Sequence, residues 1–329
     1  MKTGIKTAAT LTAVGGLLAM VATSTQALEL KMNGLHAPSH PASYAHDFFG
    51  ERVETLTNGE ITVDVHHARG LCDAVECVQM IRNGTIAFFD VSTANLSQVD
   101  KRLDMFTLPY LFKSKAHYWW YLTTDRARAF MKPLEKKGIK TLGFIDSGAR
   151  SFFSQAPIRT VEDVAGQKIR VMGSPVAVAM IDAMGGTGVP VAWGELYNAL
   201  QTGVVDGAEN NHPSVLSMKF YEVSKYYTID EHARIPDTMI MSMKTFNSLS
   251  PSQQKAIEQA GREAEAYMRG AWTISEVSAL GQLKGKFTEI IEVDKQPFID
   301  AVAPLVAKEA KRIDVEDEVK FILDAGKRF

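Results

Sequence analysis

The chain has 329 residues, with 36 Lys and Arg against 38 Asp and Glu and a formal charge of −2. That near balance, without a basic block or an aromatic-basic stripe, excludes a nucleic-acid partner. The length permits one large domain or two lobes of ordinary size.

The first 27 residues are expected to be a signal peptide. Lys2 and Lys6 form a basic start, Ala8 to Ala22 an apolar run, and Thr25-Gln26-Ala27 a small-residue cleavage site. The run is shorter than the ~20 residues a membrane span wants, and no later stretch reaches that length. No Cys follows it closely, so no lipid anchor is expected. The mature chain is expected to be periplasmic. Its two cysteines, Cys72 and Cys77, are five apart. In an oxidising compartment this favours a local disulfide; two free thiols, or a metal pair lacking its other ligands, are the alternatives.

Leu28 to Asn33 alternates apolar and polar residues and reads as a strand. Ser43 to Thr57 reads as a helix, Asn58-Gly59 as a turn and Ile61 to Val65 as a second strand. A helix over Asp73 to Arg82 and a buried strand over Ile86 to Val91 follow. This β-α-β-α-β order predicts an α/β lobe with a largely parallel sheet. The aromatic run Tyr118-Trp119-Trp120-Tyr121 reads as helix packing, and Thr141 to Ile145 as a strand. Gly185-Gly186-Thr187-Gly188 lacks the Walker lysine and the Rossmann spacing, so it reads as a turn. Met239 to Met243 reads as a returning strand. Ser250-Pro251 starts a helix without a breaker to about Ala279, long enough to span two lobes. A strand near Phe287 to Val293 and two helices finish the chain.

Between these elements lies the stretch that carries the chemistry. Arg150 opens one apolar run, Arg170 sits inside another (Lys168 to Met172), and Trp193, Glu209, Asn210 and Asn211 fall at further strand ends. Strand ends are where α/β proteins meet ligands. An arginine within an apolar strand is costly unless an anion answers it, and its planar fork suits a carboxylate.

The segments Asp146-Ser147-Gly148-Ala149-Arg150-Ser151-Phe152, Gly166-Gln167-Lys168-Ile169-Arg170-Val171 and Trp193 through Asn211 resemble the DctP-type substrate-binding proteins of tripartite ATP-independent periplasmic (TRAP) transporters. The likeness extends more loosely over nearly all of the mature chain. It implies an α/β, two-lobed periplasmic substrate-binding fold (type II-like), with mixed and parallel sheets. Lobe I would comprise 28–147 plus about 236–275, and lobe II about 148–235 plus 276–329, with the ligand cleft between them. It further implies that Arg170 pairs with a ligand carboxylate, that Arg150 is a second cationic contact, and that Glu209 and His232 orient the arginine. Asn210 matches a ligand-contacting asparagine. Asn211 stands where proline is more usual, and the doubled amide resembles members that bind sugar acids. Trp193 falls where an aromatic packs on the ligand. From lobe I, Asp73, Glu76, Ser92, Thr93 and Asn95 are candidates for hydroxyl contacts, and His36, His40, His66 and His67 flank them.

The expected function is a monomeric receptor that hands an organic acid, favourably a hexuronate, to TRAP membrane permease subunits, without cofactor or metal. A C4-dicarboxylate or other hydroxy acid is the alternative ligand. A periplasmic carbohydrate-active enzyme is the alternative class. No Gly-x-Ser-x-Gly, His-Glu-x-x-His or Walker motif is present, while a two-carboxylate glycosidase has no fixed spacing to search for.

Overall fold

The computed structural model describes Met1 and residues 26–329. All but the two ends of the expected leader lie outside the described residues. Eleven strands form two mixed sheets. The first sheet takes β1 (Leu28–Asn33), β2 (Ile61–His66), β3 (Phe88–Ser92), β4 (Ile139–Ile145) and β10 (Asp237–Ser242) in the order β2-β1-β3-β10-β4. The second takes β5 (Arg150–Ser154), β6 (Lys168–Val171), β7 (Thr187–Pro190), β8 (Gly207–Asn210), β9 (Tyr226–Ala233) and β11 (Glu289–Glu292) in the order β11-β9-β5-β8-β6-β7.

The chain crosses between the sheets three times. Asp146 to Ala149 links β4 to β5, and Arg234 to Pro236 links β9 to β10. Gly148 adopts φ +60 in the first crossing, and a Cβ there would stand 2.7 Å from Glu276 Oε1 and 2.8 Å from Trp272 Nε1. Both the left-handed backbone and the close approach require glycine. The third crossing is the helix Pro251–Leu283, capped by Ser250 and Gln253 in a reciprocal capping box. Its 33 residues span about 50 Å. Its first half buries Ile257, Ala260, Ala264 and Met268 against the first sheet, and Leu283 joins the core of the second.

The cores account for the patterns in the sequence. Phe49, Val53 and Met32 pack with the long helix on one face of the first sheet. On the other face Ile81, Phe89, Tyr118, Trp119 and Phe144 share a core, so the aromatic run is packing. Val319 and Ile322 enter that same core, and His117 Nε2 lies 3.0 Å from the carbonyl of Ile322. The last helix, Glu316–Ala325, therefore sits on the first-lobe side, although the sequence assigns all of 276–329 to lobe II. Asp314, at φ 64, turns the chain back, and the apolar face of the amphipathic helix follows the larger apolar surface.

Cys72 and Cys77 are joined by a disulfide with 5.4 Å between their Cα atoms. Asn33, at the end of β1, binds this loop three ways. Its Nδ2 donates to Cys72 O (3.2 Å) and Cys77 Sγ (3.1 Å), and its Oδ1 accepts from Leu71 N (3.0 Å). The start of the helix Ala74–Asn83 is thus tied to a strand end beside the cavity.

Candidate functional site

A cavity of about 540 Å³ opens between the sheets, lined from both. The second-sheet wall carries Arg150, Arg170, Asn210 and, just past β7, Val191 and Trp193. The first-sheet wall carries Asp73, Glu76, Asp90, Ser92 and Asp237, with Asn95 and His36 beside them. Polar contacts join the two sides, among them Gly194 N donating to Asp73 Oδ2 (3.3 Å), Ser174 Oγ donating to Asp104 Oδ1, and His40 Nε2 meeting Ser214 Oγ (3.3 Å).

The two arginines are held differently. Arg150 is answered in full by Glu209. Its Nε and Nη2 donate to the two carboxylate oxygens, Nη2 also to the Glu209 carbonyl (3.0 Å), and Nη1 to Asn210 Oδ1 (3.2 Å). Burial would raise the Glu209 carboxyl, but the Arg150 charge and the bonds from His232 and Arg150 hold it down at about 2. His232 lies between Glu209 (3.4 Å) and Asp230 (2.8 Å). Burial would lower its imidazole, yet those two carboxylates lift it to about 9, so it is charged at neutral pH.

Arg170 is equally buried, at 2% exposure, but has no carboxylate. Among the described residues its one hydrogen bond is Nε to Val191 O (2.9 Å), and Nη1 has no partner. Burial pulls its pKa down to about 10, the cost of a guanidinium without a counter-ion, so it remains protonated. Its guanidinium lies 5.9 Å from the ring centroid of Trp193, whose Nε1 also lacks a partner. A cation and a ring N–H, both desolvated and both unanswered, face one cavity. Such groups are costly unless a ligand satisfies them.

Of the twelve ligand-site candidates read from sequence, eight line the cavity, Arg170, Arg150, Asn210, Trp193, Asp73, Glu76, Ser92 and Asn95, and the flanking His36 joins them. Four do not. Glu209 and His232 stand behind Arg150, with no hydrogen bond to Arg170. Asn211 caps the helix His212–Ser217, accepting from Ser214 N (2.8 Å), and donates to Ser147 Oγ (3.3 Å). Its expected hydroxyl contact is therefore corrected. Thr93 is turned away and donates to Pro236 O (2.9 Å). Asp73 is itself committed, capping Ala74 N (2.6 Å) and receiving Gly194 N–H. The sequence reading missed Asp90 and Asp237. Among the described residues no cluster of His, Cys, Asp and Glu is suited to a metal ion, and no helix is long and apolar enough to cross a membrane.

Two α/β lobes around a cavity lined by a buried cation without a counter-ion define a two-lobed solute-binding receptor. The comparisons agree. The family described as "Bacterial extracellular solute-binding protein, family 7" (DctP) matches residues 32–312, and the chain belongs to it. A solute-binding protein of Chromohalobacter salexigens is 32% identical over 289 residues, covering 87% of this chain and 86% of that one. Among solved structures, a TRAP periplasmic solute-binding protein of a Sulfitobacter species is 34% identical with TM-score 0.85. It spans 92% of this chain and 100% of its own, and holds β-D-galacturonate. A Roseobacter denitrificans homologue with bound β-D-glucuronate is 31% identical with TM-score 0.86, covering 89% and 98%.

Proposed function

We propose that this protein is the periplasmic receptor of a TRAP transporter, that it closes on a hexuronate such as glucuronate or galacturonate, and that it delivers this ligand to a membrane permease. The observation that carries the reading is Arg170: a buried, protonated guanidinium with an unpartnered Nη1 at an interlobe cavity. A ligand carboxylate supplies the counter-ion it lacks, in the bidentate geometry that arginine favours. The cavity volume falls in the range usual for small-molecule sites. Arg150 has its own counter-ion and contributes the rest of its guanidinium. Asn210 turns toward the same space, and the indole of Trp193 offers a flat face and an N–H to the ring of the ligand. The uronates held by relatives with about a third of their residues in common support the same class.

Isothermal titration with glucuronate, galacturonate, malate and succinate tests this. One uronate is expected to bind at one equivalent and to be recovered chemically unchanged, as befits a receptor. Micromolar binding of either dicarboxylate, about −8 kcal/mol, with both uronates silent would refute the ligand assignment. Consumption of the bound sugar acid would refute the receptor assignment.

A further inference from the structure

The two walls of the cavity carry opposite charge. The first-sheet wall has four carboxyl groups, Asp73, Glu76, Asp90 and Asp237, and no Lys or Arg among the described residues that line it. The second-sheet wall has both arginines and no carboxyl. Asp73 is used up as a cap and an interlobe acceptor, and Glu76 is solvent-exposed. Asp90 and Asp237 remain.

Strand pairing brings these two together. In the antiparallel β3–β10 ladder Asp237 stands opposite Ser92, and Asp90 is two residues before Ser92 on the same face. The carboxyls are thus diagonal neighbours, within mutual reach. Asp90 is 3% exposed. Its Oδ2 meets His46 Nε2 at 2.9 Å, while Oδ1 is buried without a partner. His46 brings no positive charge, because burial and the neighbouring His67 pull its pKa down to about 3. Arg150, whose charge acts on Asp237, is already bound to Glu209. Asp237 is within reach of the Ser92 and Ser147 hydroxyls, Asp90 keeps one oxygen open, and burial raises both carboxyls, Asp90 to about 7.

We propose that Asp90 and Asp237 are the specificity-determining pair of this site. They take the hydroxyl groups at the end of the ligand remote from its carboxylate, and they shut out any acid with a second carboxylate there. This rests on the sugar-acid reading above and adds its selectivity. An unpartnered carboxyl oxygen accepts from a sugar hydroxyl, and two diagonal carboxyls are spaced for neighbouring hydroxyls. A second carboxylate would find no cation among the described residues of this wall to answer it, and would push the already raised acid pair further from ionising.

The test is titration of glucuronate and galacturonate alongside galactarate, which bears a carboxylate at both ends, and 6-amino-6-deoxygluconate, which bears an ammonium at the end remote from its carboxylate. Wild type, Asp90→Asn and Asp237→Asn are compared, with thermal melts of each ligand-free protein. Wild type is expected to bind a uronate at least about a hundredfold more tightly than galactarate. Each Asn variant is expected to lose about tenfold or more for the uronate and to narrow the gap to galactarate. Ligand-free, each should melt no lower than wild type, since a binding acid is held at a cost to stability that a structural one is not. Should Asp90→Asn not fold, Asp237→Asn, at a half-buried position, decides alone. Variants that bind and discriminate like wild type would overturn the pair's role and leave the uronate reading standing. Tighter binding of 6-amino-6-deoxygluconate than of either uronate would overturn the hydroxyl assignment. Silence of wild type toward both uronates would overturn the ligand reading and this selectivity with it.

Discussion

Arg150 and Arg170 lie on strands of one sheet, both almost fully buried and both at the cavity, yet the fold treats them oppositely. Arg150 carries its counter-ion with it: Glu209 behind, His232 behind that, and Asp230 closing a chain of alternating charge. Arg170 has a backbone carbonyl and an aromatic ring. A buried charge that is paired and hydrogen-bonded costs little, and one left open costs several kcal/mol until something arrives to neutralise it. The first arrangement builds a rigid floor for the site. The second leaves part of the binding energy to be collected from a ligand.

The sharpest way to break this contrast is to remove the counter-ion of the first arginine. Glu209→Ala leaves Arg150 as a buried cation without a counter-ion and His232 with Asp230 alone, and is expected to lower ligand-free stability by about 3–5 kcal/mol. Denaturant unfolding reads it; a loss under about 1 kcal/mol would mean that the chain of charges is incidental. Removing the second arginine should behave differently. Arg170→Ala is expected to weaken uronate binding by about 2–5 kcal/mol with little loss of ligand-free stability, and Arg170→Lys to recover only part. Equal stability losses in Glu209→Ala and Arg170→Ala would erase the distinction.

The disulfide gives a smaller effect. Reducing Cys72–Cys77 is expected to cost about 2 kcal/mol, since the loop it closes is short. Affinity should fall as well, because the loop positions the helix start beside the cavity. Native protein that labels at both thiols without reductant would contradict the bond.

A further prediction separates the charge chain by pH. His232, lifted to about 9, contributes stability that is complete below the ordinary histidine value of 6.5 and is lost as pH rises toward 9. Glu209, held at about 2, contributes above 4.5 and loses its contribution as pH falls toward 2. Asp90, pushed up to about 7, has the opposite sign: its cost grows as pH rises from 3.8 to 7 and is complete above that. Burial also raises Asp237, so in the window from pH 7 to 9 the contribution of His232 is the difference between wild type and His232→Gln. Thermal midpoints of wild type should decline across it more than those of His232→Gln, and parallel curves would remove the histidine from the chain.

The sequence showed the cation end of the site well and the acid end poorly, for physical reasons. Arg170 in an apolar strand is costly on its face, and the surrounding segments carry a family likeness, so its position at a strand end could be expected. Asp90 sits in an equally apolar run, Phe88-Phe89-Asp90-Val91, and the same reasoning would have marked it had the run not been read only as a buried strand. Asp237 has no local signal. It becomes a neighbour of Asp90 only through antiparallel pairing of β3 with β10. Asn211 misled because short polar residues before a helix are caps as readily as ligand contacts, and Pro213, just inside the next helix, was the available clue. The helices and strands themselves were readable from periodicity and turn residues, but the side on which the last helix docks depends on a distant core.

The central claim is that Arg170 collects its missing counter-ion from the ligand's carboxylate. A two-by-two titration tests it: wild type and Arg170→Ala, each with glucuronate and with glucose, which lacks the carboxylate. Wild type should prefer glucuronate strongly, and Arg170→Ala should lose most of that preference, a coupling of about 2 kcal/mol or more. If Arg170→Ala keeps the full preference for glucuronate over glucose, the carboxylate lies elsewhere and the account is wrong.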